Sequence, residues 1–172
     1  MENFKLYSKT ALAAFGIILT MMSSVTHAEI LTGRVTGISD GDTLTLVDAT
    51  EVQFKIRLSG IDGPEKGQAF GQFCKHSLSD LAYGRQVQID WKKLDRYGRV
   101  IGKVLVDERD TNLEQVRRGC GWHYKKYQNE QTASDRLSYG AAEESARKDK
   151  VGLWADSDPV PPWIWRATAK YK

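Results

Sequence analysis

Residues 39–48, S-D-G-D-T-L-T-L-V-D, and residues 54–65, F-K-I-R-L-S-G-I-D-G-P-E, decide how this chain is read. In the second segment Phe54, Ile56 and Leu58 alternate with Lys55 and Arg57. That is the period of a half-buried β-strand, with Arg57 on its polar face. Asp40-Gly41 is a tight-turn signal in which glycine supplies a positive φ; residues 43–47 follow as a strand, and Asp48-Ala49-Thr50 turns it again. Residues 31–38 mix Val, Ile and Thr and add a strand in front. Residues 31–58 therefore read as a three-stranded meander, and the Gly- and Pro-containing loop at 59–67 carries Asp62 and Glu65.

The same stretch gathers Asp40, Asp42, Asp62 and Glu65 around Arg57. Carboxylates crowded near strand ends raise one another's energy unless a cation shares them. With no His or Cys among them, the oxygen-only donors point to a hard ion, Ca²⁺ or Mg²⁺. The planar fork of an arginine matches phosphate oxygens, which makes a phosphate the natural second guest. Asp also favours turns, and that plainer reading accounts for Asp40 and Asp42 taken singly. It leaves the joint grouping of acids and arginine unexplained. Metal, arginine and a spare carboxylate together are the equipment of a phosphodiesterase.

Working outward, Phe70, Phe73, Cys74, Leu78 and Leu81 keep helical spacing through residues 68–83, with Gly84 as C-cap. Val87, Ile89 and Trp91 return to alternation, Asp95-Arg96-Tyr97-Gly98 is a turn, and residues 99–107 form a fifth strand. Asp110 or Thr111 caps a short helix with Leu113 and Val116 inside, which stops at Gly119. An aromatic and basic run occupies residues 122–127, and residues 131–150 form a longer helix with Leu137, Ala141, Ala142 and Ala146 on its apolar side. This order predicts an α+β fold, a five-stranded OB-type β-barrel with about three α-helices, at residues 29–155. The tail, 156–172, is rich in Pro and Trp and has no helical period.

At 172 residues the chain suits one domain with a real core. Lys5 and Lys9 precede an uncharged apolar run at 11–25 that ends in V-T-H-A, so residues 1–28 read as a signal peptide cut after Ala28. An uncleaved anchor is the alternative, for which the run is short. The expectation is an exported protein, periplasmic or secreted, without a stable membrane anchor after cleavage, and a monomer by default. A net charge of +3 is too mild to demand a polyanionic partner. Cys74 and Cys120 are the only cysteines; export makes them a disulfide candidate, and two buried apolar side chains that never meet are the alternative. His76 and His123 are too few for a histidine-metal site and read as structural or surface residues.

The motifs I-S-D-G-D-T-L, I-R-L-S-G-I-D-G-P-E, D-R-Y-G-R, L-E-Q-V-R-R-G and G-L-W, in this order, resemble the staphylococcal nuclease family from about Thr32 to Trp154. The tail P-P-W-I-W-R is similar to that of exported bacterial relatives. The resemblance implies a Ca²⁺-dependent endonuclease that cuts DNA and RNA with little sequence preference and leaves 3′-phosphate ends. It implies direct metal ligation by Asp42 and Asp62, a carbonyl ligand at Gly63, and a more distant role for Asp40. It puts the general base on Glu65 and the phosphate-gripping arginines on Arg57 and Arg99. Tyr97, Tyr124, Tyr127 and Lys125 are the corresponding substrate-binding candidates, although packing explains the aromatic residues about as well as base stacking does. Two departures stand out: Gly63 replaces the family's usual Thr or Ala, which predicts a looser loop, and Lys66-Gly67-Gln68 replaces a long lysine-rich loop, which predicts a weaker grip on extended substrates. The rival class is a non-catalytic OB module that binds nucleic acid or protein. Such relatives lose the metal and arginine residues that this chain keeps.

Overall fold

Alternation of apolar and polar residues makes the strands, and one parallel pairing turns them into a barrel. The computed structural model describes residues 29–169, so the leader read at 1–28 lies outside the described residues. The strands are β1 (Glu29–Ile38), β2 (Thr43–Val47), β3 (Gln53–Leu58), the two-residue β4 (Ile61–Asp62), β5 (Gln86–Leu94), β6 (Val100–Val106), β7 (Arg109–Asp110) and β8 (Trp122–His123). The helices are α1 (Gly71–Ala82), α2 (Thr111–Arg117), α3 (Ala133–Lys148) and α4 (Pro162–Ala169), with 3-10 turns at Lys125–Glu130 and Gly152–Ala155.

The large sheet runs β3-β2-β1-β5-β6-β7, and β3 also pairs in parallel with β6, matching Ile56 to Val100 and Leu58 to Gly102. That closing pair makes the α+β, five-stranded mixed barrel of the sequence reading. Closure needs strong curvature, and register shifts in β1 between Val35 and Gly37 and in β5 between Trp91 and Lys93 supply it. Gly33 is required by close approach: a Cβ there would collide with the Val47 carbonyl and the Leu46 side chain. Leu44, Leu46, Ile56, Leu58, Val87 and Ile89 fill the interior.

Helix α2 adds polar staples to this apolar core. Asn112, fully buried, donates from Nδ2 to the carbonyls of Ser59 (3.0 Å) and Gly102 (3.1 Å) and accepts from the Val104 N–H (3.1 Å). It therefore spans the β3–β6 seam. Gln115 donates to the carbonyls of Gly41 (2.7 Å) and Cys74 (3.1 Å) and accepts from the Ser77 hydroxyl (2.6 Å). Asp110 is the cap of α2, accepting from the Leu113 N–H, and its carboxylate also takes the Tyr139 hydroxyl at 2.9 Å. Burial first, and then the Asp110 charge, push the Tyr139 phenol up.

Three expectations need correction. The inward face of α3 is Tyr139, Ala142, Glu143 and Ala146, while Leu137 is 76% exposed and Ala141 is also outside. The spacing was helical, but the anchor is an aromatic residue with a hydroxyl to satisfy rather than the leucine. The tail is helical over Pro162–Ala169. Proline is well suited to a first helical position, where no N–H is needed, and the Pro161 carbonyl accepts from the N–H groups of Ile164 and Trp165. Cys74 and Cys120 do meet, but as buried free thiols. A hydrogen bond of its S–H to Cys120, with burial, raises the Cys74 thiol pKa and keeps it protonated.

Because Asn112 satisfies three backbone groups inside the seam, Asn112→Ala is expected to lower the unfolding free energy by about 3 kcal/mol. Urea denaturation measures this. A loss below about 1 kcal/mol would mean that the seam does not depend on the staple.

Candidate active site

The candidate residues are brought together where β2, β3 and β4 end. In the β2–β3 ladder Thr43 pairs with Arg57, which places Arg57 one step before the end of β3 and directly across from the residue after Asp42. β4 pairs with β8, Asp62 opposite Trp122, so the backbone of Asp62 is held from the side away from the barrel. Arg57 donates to the carbonyls of Leu58 (3.0 Å) and Ile61 (3.1 Å) and is thereby locked over the turn between β3 and β4.

Its guanidinium pairs with Asp42 at 3.0 Å and with Asp62 at 2.7 Å. Asp62 is fully buried, and burial pushes its carboxyl up, opposed by the hydrogen bond from Arg166 and the charge of Arg57. Asp42 also accepts from the Gly63 N–H (2.5 Å) and from the Thr43 hydroxyl (3.0 Å). A Cβ on residue 63 would lie 3.1 Å from Asp42 Oδ2, so glycine in this place lets the loop backbone close tightly on that carboxylate. The tight approach reverses the expectation of a looser loop at Gly63. Asp40 accepts from the Asp42 N–H at 3.1 Å, and its own carboxyl is pushed up to about 7, by burial first and by the Asp42 charge second.

Arg99 stands just before β6, with its Nε on Asp95 Oδ2 at 2.7 Å and Nη1 3.5 Å from the Thr43 hydroxyl. Thr43 thus bridges Arg99 to Asp42. Glu65 does not face Arg57. It meets Arg166 of α4 at 2.7 Å, and the same guanidinium holds Asp62 Oδ2 at 2.7 Å and Oδ1 at 3.2 Å. Those bonds, the one to Asp62 foremost, push the Arg166 guanidinium further up.

The donor set fits a hard divalent ion in kind: crowded carboxylate oxygens, with Asp42 and Asp62 buried. Among the described residues, however, no three acid, His or Cys side chains converge at metal-ligand spacing. The two guanidiniums divide the carboxylates into pairs, Asp42 with Asp62 and Asp62 with Glu65.

Comparison with known proteins bears on this geometry. Residues 55–156 match the family model described as staphylococcal nuclease homologue, more than half of the chain. The chain belongs to the staphylococcal nuclease family. It is 41% identical over 162 residues to an uncharacterized endonuclease of Haemophilus influenzae, covering 94% of this chain and 87% of that protein. It is 33% identical over 174 residues to the micrococcal nuclease of Shigella flexneri, covering 94% and 97% of the two chains. A third relative, Protein ParB of Escherichia coli, is 37% identical over 164 residues, covering 90% and 89%.

The substrate-binding candidates of this nuclease-family chain fall into two places. Tyr97, 68% exposed, lies in the turn before Arg99, whose guanidinium is 5.6 Å from the tyrosine ring. Tyr124 and Tyr127 meet edge to face at 5.3 Å on another side, and Lys125 reaches Glu143 at 3.6 Å. Arg166 was missed by sequence reasoning, and the signal was present: it is the one arginine of the Pro/Trp-rich tail. His123 is buried, with Nε2 2.8 Å from Gln131 Oε1, a structural role.

Removing Arg57 leaves Asp42 and Asp62 without their shared cation, and Arg57→Met is expected to lower stability by about 3 kcal/mol in metal-free buffer. Arg99→Met, which breaks a more exposed pair, is expected to cost about 1 kcal/mol or less. Parallel urea melts measure both. Equal losses would remove Arg57 from its place as the counter-ion of the cluster.

Proposed function

We propose that this member of the staphylococcal nuclease family is an exported, Ca²⁺-dependent endonuclease that hydrolyses phosphodiester bonds of DNA and RNA and leaves 3′-phosphate ends. The observation that carries this reading is the grouping of Asp42, Asp62 and Glu65 on shared guanidinium groups, beside Arg99 across the β3–β6 seam. Likeness to the micrococcal nuclease of Shigella flexneri over nearly the whole of both chains supports it. The leader at 1–28 supports export.

In this mechanism Asp42 and Asp62 are the carboxylates that hold the ion, with the Gly63 carbonyl, and Asp40 contributes charge from further away. Bound Ca²⁺ supplies polarisation of a phosphoryl oxygen and a place for the attacking water. Arg57, fixed by its two backbone carbonyls, presents its remaining donor capacity to the phosphate. Arg99, held by Asp95, approaches from the β6 side. Together they offset the negative charge that grows on the phosphoryl oxygens as the attacking oxygen bonds to phosphorus and the bond to the 5′-oxygen breaks. Glu65 takes the proton of the water, and the departing 5′-oxygen takes up a proton from solvent to leave as a 5′-hydroxyl. Its partner in this structure is a guanidinium, so it has to leave Arg166 before it can act.

Purified protein is expected to digest single-stranded DNA in Ca²⁺ and to stop in chelator. Glu65→Gln is expected to lower kcat by about 10²- to 10⁴-fold. Cleavage that persists in chelator would remove Ca²⁺ from the mechanism. Binding without cleavage, unchanged by chelator, would make the barrel a binding module.

A further inference from the structure

The C-terminal helix lies on the site. α4 is anchored at three points, each of which engages part of the machinery described above. Arg166 forks across Asp62 and Glu65, with bonds of 2.7 Å to each. Trp163 stacks on Tyr124, ring centroids 5.3 Å apart and planes 21° from parallel, and meets Trp122 edge-on at 5.6 Å. Just ahead of the helix the Val160 carbonyl accepts from Gln68 Nε2 at 2.5 Å, and Gln68 Oε1 in turn accepts from the Glu65 N–H at 3.2 Å. Gln68 thus ties the tail to the short loop that carries Glu65.

Two of the three contacts occupy groups that a substrate complex would need. Asp62 offers both carboxylate oxygens to Arg166 and its Oδ1 also to Arg57, so three of its roughly four lone-pair sites are taken, two of them by Arg166. Glu65, ion-paired to the same group, is engaged as a counter-ion. Trp163 covers a face of Tyr124 on which a nucleobase would stack. The seat is only partly covered: the Arg166 side chain is 41% exposed, Ile164 is 47% exposed and Trp165 36%.

Resting on the reading of Asp62 and Glu65 as metal ligand and base, we propose that α4 is a built-in competitor for the active site. Arg166 engages Asp62, one of the two carboxylates that would hold the metal, together with the base Glu65, and Trp163 stands in the nucleobase's place on Tyr124. Metal binding then requires the helix to be displaced, and the apparent metal affinity is weakened by the fraction of molecules in which the tail is seated. The nuclease is thereby held latent where Ca²⁺ is scarce and opened where Ca²⁺ and nucleic acid are both abundant.

Calorimetric titration of Ca²⁺ into the wild-type protein and into Arg166→Gln tests this without reference to cleavage. Arg166 is surface-accessible and its loss is expected to leave the fold intact, as a thermal melt checks. Arg166→Gln is expected to bind Ca²⁺ about tenfold more tightly. Hydrogen exchange on the wild-type protein is expected to show the amides of residues 162–169 losing protection at saturating Ca²⁺. Equal affinity in the two proteins overturns the competition while leaving the metal reading intact, and weaker binding by Arg166→Gln would make Arg166 a support of the site. Full protection of α4 at saturating Ca²⁺ overturns displacement. Absence of Ca²⁺ binding in both proteins overturns the metal reading itself, and this inference with it.

Discussion

The shared guanidinium of Arg57 is the interaction on which the rest of this structure depends. Asp42 and Asp62 come from separate elements, and Asp62 is completely withdrawn from solvent. Two carboxylates brought close inside a protein repel and resist ionisation unless a cation joins them. Arg57 does so from the end of β3, where the clean alternation of its strand points it away from the core. Its own position is set by two backbone carbonyls in the following turn. The barrel therefore supplies more than a platform: closing β3 against β6 brings Arg57, Thr43 and Arg99 to one edge, and the small β4–β8 pairing delivers Asp62 to it.

A site assembled in this way carries excess negative charge, and the tail answers it. One guanidinium, that of Arg57, pairs with Asp42 and Asp62, and Asp40 is tied to the group through the Asp42 N–H. α4 brings a second. Its placement is possible because a small aromatic core of Trp122, Leu153 and Trp154 sits just behind β8 and accepts Trp163 as an outer member. Arg147 lies over the Trp154 ring at 3.7 Å, so this satellite core is itself built from cation–aromatic contact and aliphatic packing. The tail docks because apolar surface holds it and charge aims it.

Much of this was legible in the residues. Alternation at 54–58 and the helical spacing around Cys74 and Leu78 lead to the barrel and α1, because local period agrees with the tertiary arrangement there. The chain does bend at Asp40-Gly41, but Gly41 has no positive φ, and it is needed because a Cβ would come 2.9 Å from Cys74 Cβ. The acids and arginines were visible as a group for the same reason: they lie on the ends of strands whose register the pattern determines. What stayed hidden depends on contacts between distant parts of the chain. The face of α3 is decided by Tyr139 reaching Asp110, some thirty positions away, rather than by Leu137. The helix in the tail is masked by Pro161-Pro162 and three bulky residues that read as irregular until one sees what Trp163 packs against. Arg166 finds its partners over one hundred positions upstream, a pairing that no local period encodes.

Helix α2 explains how such a crowded site keeps its shape. Asn112 and Gln115, three residues apart on one helical face, are fully buried, and they satisfy backbone groups on opposite sides of the site. Asn112 binds the carbonyls of Ser59 and Gly102 at the barrel seam that positions Arg57. Gln115 binds the carbonyl of Gly41, between Asp40 and Asp42, and that of Cys74 beneath it. Apolar residues of the same size would fill the space but leave those carbonyls unpaired, at a desolvation cost of about 1–3 kcal/mol each. Their effect reaches beyond stability, because hydrogen bonds have direction where apolar packing has little. One rigid turn of helix thus holds the acidic turn and the arginine-bearing seam in a fixed relation. At the surface, where the Arg166 side chain is 41% exposed, the guanidinium of α4 is the second counter-ion of Asp62.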